Sequence, residues 1–135
     1  MPTVIHGDDV MPLLLVACPS FTDVWKQIES ENGPDSPGES RLHYVDAIEF
    51  AAHLVGQLRA GNRTEVSAAF VVIERLHLEG DAYVRELATI GYLEGLLDLD
   101  DPDRFKEYLG PESQRWWRGL IAFWSGKIPT VQAID

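Results

Sequence analysis

Apolar residues recur at intervals of three and four along the centre of this chain of 135 residues. Over residues 42–60 the apolar stripe consists of Tyr44, Ile48, Ala51, Val55 and Leu58. The opposite face is polar and consists of Asp46, Glu49, His53 and Gln57. This is the period of an amphipathic α-helix, and the alternation typical of strands is rare in the sequence. The pattern therefore predicts an all-α fold.

The same periodicity predicts further helices at residues 10–17, 21–32, 64–79, 83–97, 102–109 and 111–126. The second of these carries Phe21, Val24, Trp25 and Ile28 on one side, with Ser20 as its cap. Residues 64–79 are apolar around most of the circumference, which predicts a central helix. The Gly-, Pro- and Ser-rich segment 33–40 predicts a surface loop, and the tail 127–135 has no strong pattern. We expect one compact domain over residues 1–135, with five to seven helices in antiparallel hairpins.

The stretch "ERLHLEGDAYVRELATIGYLEG" contains the clearest joint in the chain. Gly80 predicts the end of one helix, and Asp81 predicts the cap of the next. That next helix has one stripe of Tyr83, Leu87, Ile90 and Leu97 and an adjoining stripe of small residues, Val84, Ala88, Gly91 and Gly95. Each glycine inside a helix costs about 1 kcal/mol relative to alanine, so another helix is expected to pack closely against this stripe.

The charge of the chain restricts its partners. There are 22 acidic and 11 basic residues, which give a net charge of -11. Such a charge disfavours nucleic acid and anionic membranes and favours a basic protein partner. Cys18 is the only cysteine, as expected in a reducing cytoplasm. "LLLVACPS" is similar to a lipoprotein cleavage box, but no Lys or Arg precedes it and Pro12 interrupts a short apolar run, so export is disfavoured and a cytoplasmic location is expected.

Two pairs of residues raise the alternative of a metal site. Glu74 and His77 are three residues apart, and Glu49 and His53 are four apart, so each pair projects from one side of a helix. A metal-dependent enzyme with a Glu/His site on facing helices is therefore the alternative hypothesis. The favoured interpretation is structural, because His77 continues an apolar line and is expected to be partly buried and hydrogen-bonded.

The remaining candidates for chemistry are weaker. Glu94 lies on an apolar line and is expected to pair with Arg75, Arg85 or a helix end, and Glu74, His77, Asp81 and Glu94 form a possible polar cluster. The segment "DLDDPD" predicts a capping turn, with Asp101 as the cap, because Pro102 and Leu109 replace calcium ligands. The sequence contains no Gly-x-Ser-x-Gly motif and no phosphate-binding loop, so no cofactor and no catalytic residue are expected.

The last predicted helix is rich in aromatic residues. Trp116, Trp117, Phe123 and Trp124 cover too wide an arc for one neighbouring helix to bury them all, and Trp117, Leu120 and Trp124 fall on one line. Exposed tryptophans beside arginines are typical anchors of protein interfaces. We therefore expect a protein-binding surface formed by Trp116, Trp117, Trp124, Arg115 and Arg118.

Two resemblances accompany these patterns. "GDAYVRELATIGYLEGL" resembles the second helix of a HEAT-like repeat. Over nearly the whole chain, "ACPSF", "FAAHLV", "VIERLHLEGDAYVRELATIGYLEGL" and "YLGPESQRWW" followed by "FW" resemble an uncharacterised bacterial family of small all-helical domains. Small acidic helical proteins are also similar to the immunity partners of bacterial toxins. The resemblance implies no catalytic residue, and we expect a non-catalytic protein-binding domain with an acidic surface, of the immunity type.

Overall fold

The computed structural model describes residues 4–32, 43–99 and 102–135. Its α-helices are α1 (Gly7–Ala17), α2 (Thr22–Asn32), α3 (His43–Arg59), α4 (Arg63–Glu79), α5 (Ala82–Glu86), α6 (Glu94–Leu97) and α7 (Pro111–Trp124). A π-helical segment, Leu87–Leu93, joins α5 to α6, and 3-10 helices occupy Pro19–Phe21 and Pro102–Tyr108. These elements confirm the predicted all-α fold of five to seven helices. The predicted loop 33–40 and the predicted cap at Asp101 lie outside the described residues.

The N-terminal region departs from the prediction in two ways. Helix α1 begins at Gly7, three residues earlier than predicted, and includes Pro12. Ser20 does not cap α2, because it lies in the first 3-10 helix and its side chain bonds to His53 instead. Val24 was expected on the buried side of α2 but is 39% exposed.

The buried face of α3 is rotated from the predicted stripe. Its core residues are Ala47, Phe50, Ala51 and Leu54, together with Asp46, which was expected on the polar face. Ile48, a member of the predicted stripe, is 60% exposed. Apolar residues cover a broad arc of this helix. The spacing of apolar residues therefore does not determine which part of the arc faces the core. The large ring of Phe50, which packs against Phe21 and Tyr92, occupies the core.

Helix α4 is the central helix, as predicted. It contacts α1, α3, α5, the π-helical segment and α7. Its core-facing residues run from Val66 to His77, and Asn62 caps its N-terminus by accepting a hydrogen bond from the backbone of Glu65. Val71 was expected to be covered and is instead 62% exposed, so one strip of α4 faces solvent.

The joint at Gly80 forms as predicted but through a different constraint. The backbone of Gly80 is extended, so its lack of a side chain rather than a left-handed conformation is what matters. A Cβ atom there would lie 2.5 Å from the carbonyl oxygen of Leu76 and 2.5 Å from a methyl group of Val84. The backbone of Ile5 also bonds to both sides of the joint, through Glu79 and Asp81.

The predicted stripe of small residues packs against α3. A Cβ atom on Gly91 would lie 3.2 Å from that of Ala47, and one on Gly95 would lie 3.4 Å from that of Ala51. Residues 83–97 are helical throughout, as predicted, but their middle, Leu87–Leu93, is π-helical and not α-helical. The wider turn buries almost every residue of Leu87–Leu93, whereas Tyr83 remains 42% exposed.

One buried apolar cluster extends from Ile5 to Leu120. It includes residues from all seven α-helices, with Ile28 as the contribution of α2, so these helices share one core. None of the helices in the described part of the chain combines the length and the apolar character that a membrane span requires.

Candidate functional site

An open groove lies between the helix that follows Gly80 and the C-terminal part of the chain. Its volume is about 500 Å³. Its lining, here called the Trp116 groove, consists of Ala82, Arg85, Glu86, Thr89, Ile90, Trp116 and Val131. The first five belong to α5 and the π-helical segment that follows it, and their spacing of three or four residues places them on one side. The volume and the mixture of apolar walls with a few polar groups are typical of a binding site.

Trp116 connects the groove to the buried polar residues beneath it. Its indole N–H donates to the carboxylate of Glu112 over 3.2 Å. Its ring stacks on the imidazole of His77, with centroids 6.4 Å apart and an interplanar angle of 11°. The sequence-predicted interface residue and the sequence-predicted polar pair therefore meet at one place.

The imidazole of His77 is fully used by neighbouring groups. Nδ1 lies 3.1 Å from the carbonyl oxygen of Ile73 and 3.1 Å from Oγ of Ser113, and Nε2 lies 3.0 Å from Oγ1 of Thr89. Because a carbonyl only accepts, Nδ1 carries the proton, and Nε2 accepts from the Thr89 hydroxyl. Burial lowers the pKa of His77 to about 4, so the ring is neutral at pH 7. This is the buried, hydrogen-bonded histidine that the sequence favoured.

Glu74 caps the start of α7 from a different helix. Its carboxylate accepts hydrogen bonds from the backbone N–H groups of Glu112 and Ser113 over 2.9 and 2.8 Å. Burial alone would raise the pKa of Glu74, but these two bonds outweigh it and keep the pKa below its usual range. Gly110, which precedes α7, leaves room for this carboxylate, because a Cβ atom there would overlap it.

Asp81 and Glu94 do not join Glu74 and His77 in one cluster. Asp81 caps α5 by accepting from the backbone N–H of Val84 over 2.8 Å, and its other oxygen lies 2.9 Å from Nδ1 of His6. Burial, followed by the negative charge of Asp98, raises the pKa of Glu94. Of the three partners expected for Glu94, Arg75 pairs with Glu79 and Arg85 donates to the carbonyl oxygen of Gly80. Glu94 itself lies in the first turn of α6, so the expected placement at a helix end stands.

Arg115 and Arg118 bind the C-terminal tail. Nε of Arg115 lies 2.6 Å from the carboxylate of Asp135, and Nε of Arg118 donates to the carbonyl oxygen of Ile134 over 2.9 Å. Gly119 lets the tail approach α7, because an added Cβ atom would overlap the carbonyl oxygen of Gln132. Arg115 is therefore engaged within the chain, whereas Arg118 uses its Nε for the tail and stays exposed.

The other two tryptophans of α7 have opposite environments. Trp117 is 2% exposed and belongs to the core, whereas Trp124 is 63% exposed. They were predicted to share one line with Leu120, which is also buried. Trp117 and Leu120 lie in the covered part of α7, whereas Trp124 is its last residue and reaches the surface. Of the predicted aromatic anchors, Trp116 lines the groove and Trp124 remains accessible.

A second polar cluster lies at the junction of α1 and α2. Oγ of Ser20 lies 2.8 Å from Nε2 of His53, and the backbone N–H of Ser20 donates to Glu65 over 2.9 Å. Burial lowers the pKa of His53 and raises that of the buried Cys18 thiol to about 11. A serine beside a neutral imidazole resembles a nucleophile and its base. However, Glu65 uses the Ser20 N–H that would stabilise an oxyanion and places negative charge there.

The four residues of the metal alternative are divided between these clusters. His53 bonds to Ser20, Glu74 and His77 bond to the start of α7, and Glu49 is exposed. No three His, Cys, Asp or Glu side chains within the described residues are grouped as a metal site would require. The geometry gives no support to the alternative of a Glu/His metal enzyme.

Sequence reasoning missed the residues that complete these sites. Thr89 and Ser113 bond to His77, and Val131 forms a wall of the groove. In the sequence, Thr89 stands out as a hydroxyl residue within an apolar stretch, and Ser113 stands out by its place in the first turn of a helix. Both features could have indicated a hydrogen-bonding role. Val131 gave no signal, because the tail has no periodic pattern.

Comparison with known proteins identifies the family of the chain but assigns no activity. No curated protein and no solved structure matches it. The resemblance to HEAT-like repeats and the bacterial origin therefore remain predictions. The family model described as "Domain of unknown function (DUF7674)" matches residues 11–125, which is well over half of the 135 residues. The chain accordingly belongs to this uncharacterised domain family.

Proposed function

We propose that this domain is a non-catalytic binding protein that engages a basic protein through the Trp116 groove. The observation that carries the proposal is the groove itself, which brings Trp116, Ile90 and Val131 together around about 500 Å³ of open space. Aromatic and aliphatic walls of this kind accept an apolar side chain of a partner. On the lining Glu86 is balanced by Arg85, and Glu112 beside Trp116 pairs with Arg115, so the acidity that favours a basic partner is that of the molecule as a whole.

The charge of the molecule supports a basic partner. A net charge of -11 attracts a positively charged surface and repels nucleic acid and other acidic proteins. Charge accelerates the encounter, and the groove supplies the buried contact that slows dissociation. The partner segment is therefore expected to present an apolar side chain flanked by lysine or arginine.

The internal bonding of the candidate catalytic groups supports a non-catalytic role. Both nitrogens of His77 have partners, and the carboxylate of Glu74 is used by the start of α7. Groups in this condition stabilise the fold and offer neither a free base nor a free ligand. In the cytoplasmic, immunity-type version of this proposal, the basic partner is a toxin that binding neutralises.

The experiment compares two matched variants. Ala82 lines the groove and is exposed, and Ala52 is an exposed alanine on α3. The wild-type protein, Ala82→Arg and Ala52→Arg are immobilised and exposed to an extract of the native host. Thermal unfolding and circular dichroism establish that all three proteins are folded.

We expect the wild type and Ala52→Arg to retain one stoichiometric basic protein. Its affinity, measured with the purified partner, should fall by about tenfold for Ala82→Arg, because a large cation fills the groove and repels a basic segment. The affinity should also fall as the salt concentration rises. Equal binding by the two variants, insensitivity to salt or the lack of any stoichiometric partner would refute the proposal.

A further inference from the structure

A second pocket lies on the other side of α7, between this helix and the 3-10 helix Pro102–Tyr108. Its volume is about 340 Å³. Its lining, here called the Trp117 pocket, consists of Lys106, Leu109, Gln114, Trp117 and Arg118. It shares no lining residue with the Trp116 groove. This pocket is therefore a separate candidate site.

The charge of the Trp117 pocket is opposite to that of the molecule. Two cations, Lys106 and Arg118, line it, and its lining contains no aspartate or glutamate. The chain has only 11 basic residues against 22 acidic ones. Two cations from separate elements thus converge on one concave surface of a protein with a net charge of -11.

Neither cation is strongly neutralised by a neighbour. Nζ of Lys106 lies 3.3 Å from the carboxylate of Asp103, and both side chains are more than half exposed, so this pair is weak. Arg118 donates through Nε to the carbonyl oxygen of Ile134, which leaves its charge uncompensated by that bond. Within the described residues no salt bridge to Arg118 is formed. The pocket therefore retains positive charge for an anion.

Trp117 belongs to the lining of the pocket, although its N–H is covered by protein atoms. Nε1 of Trp117 is buried and has no hydrogen-bond partner among the described residues. A buried donor without a partner costs about 1–3 kcal/mol, so such groups are rare in native proteins. The indole ring of the same residue and the side chain of Leu109 also supply an apolar surface.

We propose that the Trp117 pocket binds a small organic anion that carries one carboxylate on an apolar body. Arg118 and Lys106 recognise the carboxylate, because the arginine fork matches its two oxygens and the lysine adds a point charge. Leu109 and the ring of Trp117 contact the apolar body. Nε1 of Trp117 is covered by protein atoms, so it does not hold the ligand, but its NMR signal reports an occupant of the pocket that its ring lines. The inference does not depend on the protein-binding proposal.

The experiment follows the assigned indole N–H signals of the full chain by NMR. Benzoate is the probe, benzamide is its uncharged analogue, and inorganic phosphate is an anion without an apolar body. We expect benzoate to shift the Trp117 signal in a saturable manner, with an affinity at least tenfold higher than that of benzamide or phosphate. Equal responses to benzoate and benzamide, equal responses to benzoate and phosphate, or an unchanged Trp117 signal would overturn the proposal.

Charge-removing variants test whether the two cations are responsible. Lys106→Gln and Arg118→Gln should each weaken benzoate binding by about tenfold, whereas Arg75→Gln, which removes an equal charge from α4, should leave it unchanged. Because Arg118 also binds the tail, Lys106→Gln is the decisive variant. Lys106 is exposed, so this variant is expected to fold, and its NMR spectrum checks this. Undiminished binding by Lys106→Gln would contradict the assignment.

Discussion

His77 occupies a site where an added proton is unfavourable. The residue is 6% exposed, and both ring nitrogens have partners within the protein. Burial lowers the pKa of the folded-state imidazole from 6.5 to about 4. Between these values the unfolded chain binds a proton that the folded protein does not bind. The contribution of His77 to the free energy of unfolding is therefore fully present above pH 6.5. It is lost as the pH falls towards 4.

This linkage predicts the behaviour of His77→Gln. The variant should be less stable than the wild type at pH 7, because its amide does not reproduce all the bonds of the imidazole. The wild type should lose about 3 kcal/mol more than the variant as the pH falls from 6.5 to 4. Urea denaturation at several pH values measures both curves. Parallel curves would show that His77 does not titrate as its burial requires.

Glu74 is predicted to stabilise the protein through the start of α7. Glu74→Ala should lower the free energy of unfolding by about 1–3 kcal/mol, because two backbone N–H groups lose a charged acceptor. Glu74→Gln keeps one oxygen and should lose less. The pKa of Glu74 is lowered on folding, so its contribution is present at neutral pH and is lost as the pH falls through the folded pKa. Denaturation of the wild type and Glu74→Ala at pH 7 and in acid measures the difference between their free energies of unfolding. If this difference is as large in acid as at pH 7, the prediction is contradicted.

At the scale of helices, the joint between α4 and α5 depends on the absence of a side chain. Gly80→Ala should destabilise the protein by about 1–3 kcal/mol, because the new methyl group has no space beside Leu76 and Val84. Gly56→Ala is the matched control. Gly56 lies in α3, and a methyl group added there would have no neighbouring atom within 4 Å, so this variant should be more stable by about 0.5–1 kcal/mol. Thermal and urea denaturation compare the two, and equal effects would show that the joint tolerates a side chain.

The sequence of a helix specifies its existence and length better than it specifies which face is buried. The periodicity predicts the existence of α3 and its length to within a residue at either end. It does not select between the overlapping stripes that contain Ile48 and Phe50. The core accepts the ring of Phe50 between Phe21 and Tyr92, and Ile48 is left on the surface. Packing against several neighbours decides the rotation, because the burial of one large ring outweighs a smaller side chain.

At the scale of the whole molecule, like charges repel one another. With a net charge of -11, the folded state should gain stability when salt is raised from about 10 to about 150 mM, because the charges are brought closer together by folding. We expect the unfolding temperature to rise by about 3 °C. The double variant Glu29→Gln, Glu49→Gln changes two exposed carboxylates and reduces the net charge from -11 to -9. For this variant the rise of the unfolding temperature with salt should be smaller than for the wild type. Differential scanning calorimetry of both proteins at the two salt concentrations tests this.

The candidate sites were predictable in part. Trp116, Glu74 and His77 were singled out by the sequence, and the structure brings them together beneath one groove. Arg115 and Arg118 were predicted to face a partner, but they bind the tail. The tail has no periodic pattern, so only its contacts with α7 reveal its place. The Ser20–His53 pair joins residues 33 positions apart, and no local pattern predicts such a contact.

The sequence by itself determined the helical class, the order and approximate bounds of the helices, the joint at Gly80 and Asp81, and the acidic charge. These properties follow from the period of apolar residues, from caps and from composition, all of which act locally or additively. The tertiary structure decided which face of α3 is buried, the π-helical turn at Leu87–Leu93 and the position of the tail. It also decided that Glu74 and His77 stabilise the start of α7. These outcomes depend on contacts between residues distant in sequence, where packing selects among alternatives that are equal locally.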